Sequence, residues 1–231
     1  MTLWLTRLTP QPTSRQAQQE LGGNTPHGSL HRRVMSLFPD GVPEQARTHY
    51  GVLFRVEDTP RGSFLLVQSN QPPDPGRLPA QYGTLTTRPL DALLDALEAG
   101  RTLHYRCTAS PVRKPGATTR AHYNLPAVVP LNGPAAEEWW HRQANAVGLK
   151  PLTLQSHPVD AARDRQHPTS TGNPGRDPKN TNRVHHHRVR FDGTATVIDP
   201  DQLRAAIRQG IGRGKAYGCG LLSIAPAPDP V

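Results

Sequence analysis

Apolar residues recur along the chain with two periods, and the period separates predicted strands from predicted helices. In the first half, four segments alternate between apolar and polar positions and are predicted strands: residues 2–8, 50–57, 63–69 and 102–109. Two segments carry apolar residues three to four positions apart and are predicted helices: residues 25–38 and 90–98. Their order, β-α-β-β-α-β, is that of a ferredoxin-like unit.

The second half repeats this order of elements without repeating the residues. The predicted strands are residues 123–131, 152–155 and 220–225, together with a strand pair at 187–198 that turns at Asp192-Gly193. The predicted helices are residues 134–147 and 199–210, the second of them begun by Asp199-Pro200. We therefore predict an α+β fold of two tandem ferredoxin-like (RRM-like) units, residues 1–112 and 113–231.

Residues 160–184 interrupt this pattern. The segment is rich in Pro, Gly, Asn, Asp and Arg and has no periodicity, which predicts a long mobile loop inside the second unit. Residues 161–190 carry seven Lys and Arg against two Asp. Much of the positive charge of the chain is thus concentrated in and beside this loop.

Charge narrows the range of partners. The 231 residues include 27 Lys and Arg against 18 Asp and Glu, a formal net charge of +9. Such a charge attracts polyanions, so nucleic acid is the first candidate partner and an acidic membrane surface the second. We find no apolar stretch long enough for a signal peptide or a membrane span, and the two distant cysteines, Cys107 and Cys219, indicate a reducing compartment. A cytoplasmic protein without a membrane partner is expected.

Five glycines fall within eleven residues in the run GIGRGKAYGCG, residues 210–220. The run is not a P-loop, because it is one residue too short and Ala216 stands where a magnesium-binding hydroxyl is needed. It is not a dinucleotide-binding fingerprint, because it follows a predicted helix rather than a strand. Glycines let the backbone approach a phosphate, and Arg213 and Lys215 add charge, so we predict a phosphate contact. A tight helix-to-strand connection is the alternative.

This run and the residues after it, GIGRGKAYGCGLLSIAP, resemble the C-terminal signature of the CasE group, the repeat endoribonucleases of the type I-E CRISPR Cascade system. Three further segments are similar to that group in the same order. They are LWLTRLTPQPTSRQAQQEL near the start, LHRRVMSLFPDG at residues 30–41 and VRFDGTATVIDPDQLRAAIRQGIG at residues 189–212. The resemblance leaves out residues 110–185.

The resemblance implies tandem ferredoxin-like units and an endoribonuclease that needs no metal or other cofactor. It implies cleavage of CRISPR precursor RNA within the repeat, beside a stem-loop, which gives 2′,3′-cyclic phosphate and 5′-hydroxyl ends. The mature guide RNA would stay bound, and the protein would be one subunit of Cascade. The active-site histidine of the group corresponds to His31, whereas the tyrosine usual three residues earlier is Gly28 here. Either His31 suffices, or Ser29 or His27 substitutes for the tyrosine, or this enzyme is slow.

The chemistry of RNA cleavage also favours a histidine such as His31. RNA supplies its own nucleophile, the 2′-hydroxyl, so the protein needs a base for its proton and positive charge for the phosphorane. Histidine titrates near neutral pH, and His31 borders the apolar stripe of its helix beside Leu30. Arg32 and Arg33 follow directly and could meet the phosphate. An ordinary surface histidine is the alternative.

Two further histidine patterns allow other chemistry. His27 and His31 are four residues apart, so they could act as an acid–base pair or bind a metal, although no third ligand is evident nearby. The run His185-His186-His187 lies on a predicted strand that continues through Arg188 and Arg190. We predict that the outward, basic face of this strand contacts phosphates, because zinc needs ligands that converge from several elements.

The link between the predicted units is also basic. Arg113, Lys114 and Arg120 lie in a segment rich in Pro, Gly and Thr. We predict a loop that grips an RNA stem, since A-form RNA is recognised through phosphates, 2′-hydroxyls and shape. A solvated linker is the alternative.

A non-catalytic RNA-hairpin-binding protein is the alternative function, because two ferredoxin-like units with basic loops describe it equally well. Aromatic residues make up only 5% of the chain, and the first strand pair lacks the aromatics that stack on single-stranded bases. A zinc-dependent hydrolase is a third candidate. Cleavage of repeat RNA in EDTA separates the enzyme from the binding protein, and metal analysis tests the third.

Overall fold

The computed structural model describes residues 2–21, 27–42, 45–165 and 183–227; the side chains of His27 and of residues 160–165 and 183–186 are outside the description. The described chain forms two antiparallel sheets with helices packed against them. None of the described helices is long and apolar enough to cross a membrane.

The first sheet contains four strands in the order β2-β3-β1-β4. They are β1 Trp4–Pro10, β2 Leu53–Thr59, β3 Gly62–Ser69 and β4 Gly83–Pro89. Three helices connect β1 to β2: α1 Arg15–Leu21, α2 His27–Met35 and α3 Ala46–His49. The pairing is antiparallel throughout, as in a ferredoxin-like unit, but a single 3-10 turn at Pro75–Arg77 replaces the second helix.

The second sheet has the strand order β11-β5-β10-β8, with β9 also paired to β10. Its strands are β5 Thr102–Ala109, β8 Leu149–Pro151, β9 Gln155–Arg165, β10 Arg183–Val197 and β11 Leu222–Pro226. Helix α6 Pro134–Ala146 follows β5, and α7 Pro200–Gln209 follows β10. The smaller elements are α4 Asp91–Asp95, α5 Ala117–Tyr123 and the ribbon of β6 Val112–Arg113 with β7 Val129–Pro130.

Two ferredoxin-like units are thus confirmed, but their strands divide differently from the prediction. Residues 102–109 were predicted to close the first unit, and this is wrong, because β5 pairs with β10 and β11. The buried side chains of Leu103, Tyr105 and Cys107 lie in the core of the second unit. The predicted division at residue 112 followed from that assignment; the chain instead changes sheet between Pro89 and Thr102.

Three other local predictions are wrong. Residues 152–154 of the strand predicted at 152–155 form the loop between β8 and β9. The predicted turn at Asp192-Gly193 lies inside the continuous strand β10. Gly193 is needed there for close packing, because a Cβ would lie 2.1 Å from the carbonyl oxygen of Thr153. The predicted strand at residues 123–131 is instead the end of α5 followed by a loop and the short β7. Of the predicted loop at 160–184, residues 160–165 and 183–184 belong to β9 and β10, and residues 166–182 lie outside the described residues.

The remaining helix predictions are confirmed, and the structure shows contacts that stabilise two of these helices. The Asp199 carboxylate caps α7 by accepting hydrogen bonds from the backbone N–H groups of Asp201 and Gln202, both at 3.0 Å. Helix α6 begins at Pro134, and the Trp140 ring on its buried face stacks on Phe191 of β10 at 4.9 Å. Thr25 and Pro26, the first two residues of the helix predicted at residues 25–38, lie outside the described residues.

A chain of ion pairs joins the two units. Buried Arg55 of β2 donates to Glu57 at 2.8 Å and to the carbonyl oxygen of Leu221 at 2.8 Å, across the boundary. Glu57 also pairs with Arg106 of β5 at 3.0 Å, and Arg106 pairs with Asp192 of β10. These contacts lie at one wall of a cleft of about 660 Å³ between the two sheets. They fix the first unit against the second.

Candidate active site

Helix α2 presents His31 at the edge of the first core. Leu30 and Val34 are buried on the inner face of the helix, and His31 is half-buried beside them. Its imidazole stacks on the ring of Phe54 in β2, with 6.2 Å between centroids and 27° between planes. The buried Nδ1 of His31 makes no hydrogen bond within the described part of the protein.

The surroundings of His31 favour its neutral form. Burial lowers the pKa of His31 first, and the positive charges of Arg47 and Arg32 lower it further. A neutral imidazole can accept a proton, whereas an imidazolium cannot. The site thus holds its histidine in the protonation state that a general base requires.

The glycine loop, residues 210–220, follows α7 as the sequence predicted. Its five glycines all have positive φ, from +72° to +90°, which other residues rarely adopt. The backbone N–H of Ile211 donates to Gly220 O at 2.9 Å, and Gly220 N–H donates to Thr108 O at 2.7 Å. These bonds close the loop and fasten it to β5. These hydrogen bonds therefore hold the loop in its left-handed backbone conformation.

The glycine loop reaches the first unit beside His31. Its 3-10 turn at Lys215–Tyr217 packs against α2 and β2. A Cβ on Gly218 would lie 3.4 Å from the Phe54 ring, the same ring that stacks on His31. Lys215 is half-buried, and its pKa is lowered by burial and then by the positive charge of Arg47. The fold therefore gathers a neutral histidine and two partly buried cations from both units.

Two members of this site, Phe54 and Arg47, were missed at the level of sequence. Phe54 looked like any apolar residue of a strand. Arg47 lies in a polar stretch without periodicity, in the four-residue helix α3. Since the loop meets α2 only in three dimensions, no spacing in the chain signals either residue.

The predicted RNA-binding residues are not all gathered at this site. Arg32 is exposed next to His31, and Arg213 is exposed in the glycine loop. Arg188 lies close enough to the end of the loop for its charge to act on Cys219. Arg113, Lys114 and Arg120 are exposed on a separate surface formed by β6 and α5.

Two of the predicted RNA contacts are engaged within the protein. Arg33 forms a two-point ion pair with Glu20 of α1, at 2.9 and 3.1 Å, and its guanidinium lies over Tyr82. Arg190 pairs with Asp192 at 2.7 Å, on the side of β10 that lines the cleft. A contact between either arginine and RNA would have to displace a carboxylate.

The other two candidate catalytic residues lie on the same helix. The backbone of His27 forms the first residue of α2, and its side chain is outside the description. Ser29 is half-buried and has partners of its own. Among the described residues, we find no group of three or more His, Cys, Asp and Glu side chains arranged to hold a metal ion. In the run His185-His186-His187, the side chains of His185 and His186 lie outside the described residues.

Comparison with known proteins gives consistent matches over almost the whole chain. A sequence model of a family described as "CRISPR associated protein" matches residues 3–226. The chain is 30% identical to the CRISPR-associated endoribonuclease Cse3 of Thermus thermophilus, over 97% of this chain and 100% of that protein. It is 28% identical to the CRISPR system Cascade subunit CasE of Escherichia coli, over 85% of this chain and 90% of that one.

A solved structure with a similar fold is that of Thermus thermophilus Cse3 bound to an RNA that represents a pre-cleavage complex. The TM-score is 0.74 at 25% identity, over 98% of this chain and 100% of that chain. The similarity therefore covers both units and their mutual arrangement.

Proposed function

Since the chain belongs to the CRISPR-associated protein family, we propose that it is an endoribonuclease that cleaves CRISPR precursor RNA within its repeats, beside a stem-loop. The observation that carries this proposal is His31, which has a lowered pKa and lies on the helix that packs against the cationic glycine loop. A neutral base next to partly buried positive charge is what 2′-hydroxyl attack on a phosphate requires.

In the proposed reaction, His31 takes the proton of the 2′-hydroxyl next to the scissile phosphate. The 2′-oxygen then attacks phosphorus, and the bond from phosphorus to the 5′-oxygen breaks. The products end in a 2′,3′-cyclic phosphate and a 5′-hydroxyl, the latter completed by a proton from water. No metal is needed in this scheme, because the substrate carries the nucleophile and the protein supplies the positive charge.

Arginine and lysine side chains would contribute most of the affinity for RNA. Arg32 beside His31, and Arg213, Lys215 and Arg188 in or near the glycine loop, are the proposed contacts to phosphates around the cut. Arg113, Lys114 and Arg120 form a second exposed basic surface, suited to a stem that extends away from the site. Such contacts recognise the shape of A-form RNA more than its sequence.

Gly28 leaves the position of the family tyrosine without a side chain. Helix α2 has its N-terminal residues His27 and Ser29 on either side of this glycine. Our proposal gives His31 the base role alone and leaves His27 and Ser29 as candidates for orienting the 2′-hydroxyl.

The Escherichia coli relative named as a Cascade subunit supports a role for this chain within a Cascade complex, where it would hold the guide RNA after cleavage. Its partners would be the repeat stem-loop and other Cascade subunits. A guide RNA made from a cellular transcript places the proposed activity in the cytoplasm.

The test is cleavage of a panel of hairpin repeat RNAs by untagged protein in the presence of EDTA. Cut products with cyclic phosphate ends are expected for the cognate repeat. Tight binding without a cut would instead support a non-catalytic RNA-hairpin-binding protein. Activity that EDTA abolishes and zinc restores would support a metal-dependent hydrolase and contradict the proposal.

A further inference from the structure

Arg47 differs in its partners from four other partly buried arginines of the described chain. Across the described residues, Arg33, Arg55, Arg106 and Arg190 each pair with a carboxylate within 3.0 Å. Arg47 has no carboxylate partner in the described chain, although it is half-buried. Its Nη1 donates to Val52 O at 3.3 Å, and its Nη2 donates to Thr48 Oγ1 at 3.2 Å.

An arginine in this state carries a cost in the free protein. Burial alone lowers the pKa of Arg47, which means that water stabilises its charge less than usual. Buried charges are normally compensated by a carboxylate, a metal or a bound ligand. Within the described chain, the two neutral acceptors hold the guanidinium in place without an opposite charge beside it. The geometry therefore suits an anion that is absent from the free protein.

The position of Arg47 identifies which anion fits. Its acceptor Val52 comes two residues before Phe54, whose ring stacks on His31 and packs against the glycine loop. Its charge acts on His31 more strongly than that of Arg32, which is the neighbour of His31 in sequence, and it acts on Lys215 as well. The charge of Arg47 thus lies near both the base and the glycine loop, the two groups between which the scissile phosphate would lie.

We propose that Arg47 is a catalytic residue that binds the nonbridging oxygens of the scissile phosphate and stabilises the negative charge that develops on them in the transition state. The inference rests on the proposed endoribonuclease function. The 2′-oxygen–phosphorus bond forms as the bond to the 5′-oxygen breaks, and the 2′-hydroxyl proton passes to His31. Arg47 exchanges no proton; a fixed guanidinium fork matches two phosphate oxygens better than a lysine does.

The test compares Arg47→Ala and Arg47→Lys with the parent in single-turnover cleavage of the cognate repeat RNA, in EDTA. Loss of a fixed transition-state donor typically costs about 10²–10³ in rate, so Arg47→Ala should fall by that factor while RNA affinity changes less than about fivefold. Arg47→Lys should recover part of the rate. Arg61→Ala, at the exposed turn after the far end of β2, is the matched control and should cut like the parent.

The pH profile separates a catalytic from a structural role. Removing the charge of Arg47 should raise the pKa of His31, so the acid limb of the second-order rate constant should move to higher pH in Arg47→Ala. A loss that only follows lower thermal stability or weaker RNA binding, with the acid limb unmoved, would overturn the proposal. So would cleavage by Arg47→Ala at near-parental rate. If the parent cuts no repeat RNA, the proposed function is wrong. If the parent cuts the RNA and the Arg47 variants cut it equally well, only the role assigned to Arg47 is wrong.

Discussion

At the scale of single residues, the protonation state of His31 is set by its neighbours rather than by its place in the sequence. Burial removes water from the imidazole, and Arg47 and Arg32 oppose a second positive charge. Eleven histidines occur in the chain. Among the described histidines, His31 combines a lowered pKa with a buried Nδ1 that makes no hydrogen bond.

The pH dependence of cleavage follows from this lowered pKa. A base must be neutral, so the second-order rate constant should rise with pH, with unit slope, and level off once His31 has lost its proton. The midpoint should lie below the ordinary histidine value of about 6.5. Rate measurements from pH 4.5 to 8 in constant ionic strength would show it. A midpoint at or above the ordinary value would contradict the proposed environment of the base.

At the scale of elements, the glycine loop was predictable and its partner was not. Five glycines at short spacing signalled a special backbone, and all five do have positive φ. The predicted helix around His31 is also present, with its apolar stripe buried. The contact between them could not be predicted, because it depends on how one unit packs against the other. Strand β4 was missed because its run of threonines alternates too weakly between apolar and polar residues. Its pairing with β1 becomes visible only in the folded sheet.

The strand assignments that failed share a physical cause. A ferredoxin-like order can be completed either by β4 or by β5, since both are short segments that follow β3 along the chain. Local pattern cannot choose, whereas burial of Tyr105 and Cys107 against the second unit does. The turn predicted at Asp192-Gly193 was wrong because glycine is favoured both in turns and where strands pack closely, and Gly193 serves close packing.

The basic residues near the glycine loop should govern the salt dependence of RNA binding. Each phosphate neutralised adds about 0.7–0.9 to the slope of log K against log salt. Lys215→Ala and Arg188→Ala should each weaken binding and flatten that slope by about one, similarly for stems of different sequence. Lys150→Ala, near the opposite end of β10, serves as control. A loss for one stem sequence at an unchanged slope would indicate base recognition and a binding surface elsewhere.

At the scale of the whole molecule, the site exists only while the two units keep their arrangement. His31 and Arg47 belong to the first unit, and Lys215 belongs to the second. The buried pair of Arg55 and Glu57, extended by Arg106 and Asp192, crosses the boundary a short distance along β2 from Phe54. Strand β2 therefore carries both the ion pair that holds the two units together and the ring that stacks on His31.

Removing one partner of this buried pair should be costly. Glu57→Ala leaves the Arg55 charge uncompensated and should lower the free energy of unfolding by about 3–5 kcal/mol. The double variant Arg55→Met with Glu57→Leu should recover much of that loss. Glu98→Ala breaks an exposed pair with Arg101, and should cost less than about 1 kcal/mol. Denaturant unfolding of the four proteins tests this; equal losses for Glu57→Ala and Glu98→Ala would mean that the chain of ion pairs does not hold the units together.

The most direct test of the whole account is the single-turnover cleavage rate of His31→Ala on the cognate repeat RNA, in EDTA, beside the parent and the exposed-histidine control His141→Ala. A positioned base contributes roughly 10²–10⁴ in rate, so His31→Ala should lose that factor while its RNA affinity changes little and His141→Ala cuts like the parent. Cleavage by His31→Ala at the parental rate would remove His31 from the chemistry and contradict the account.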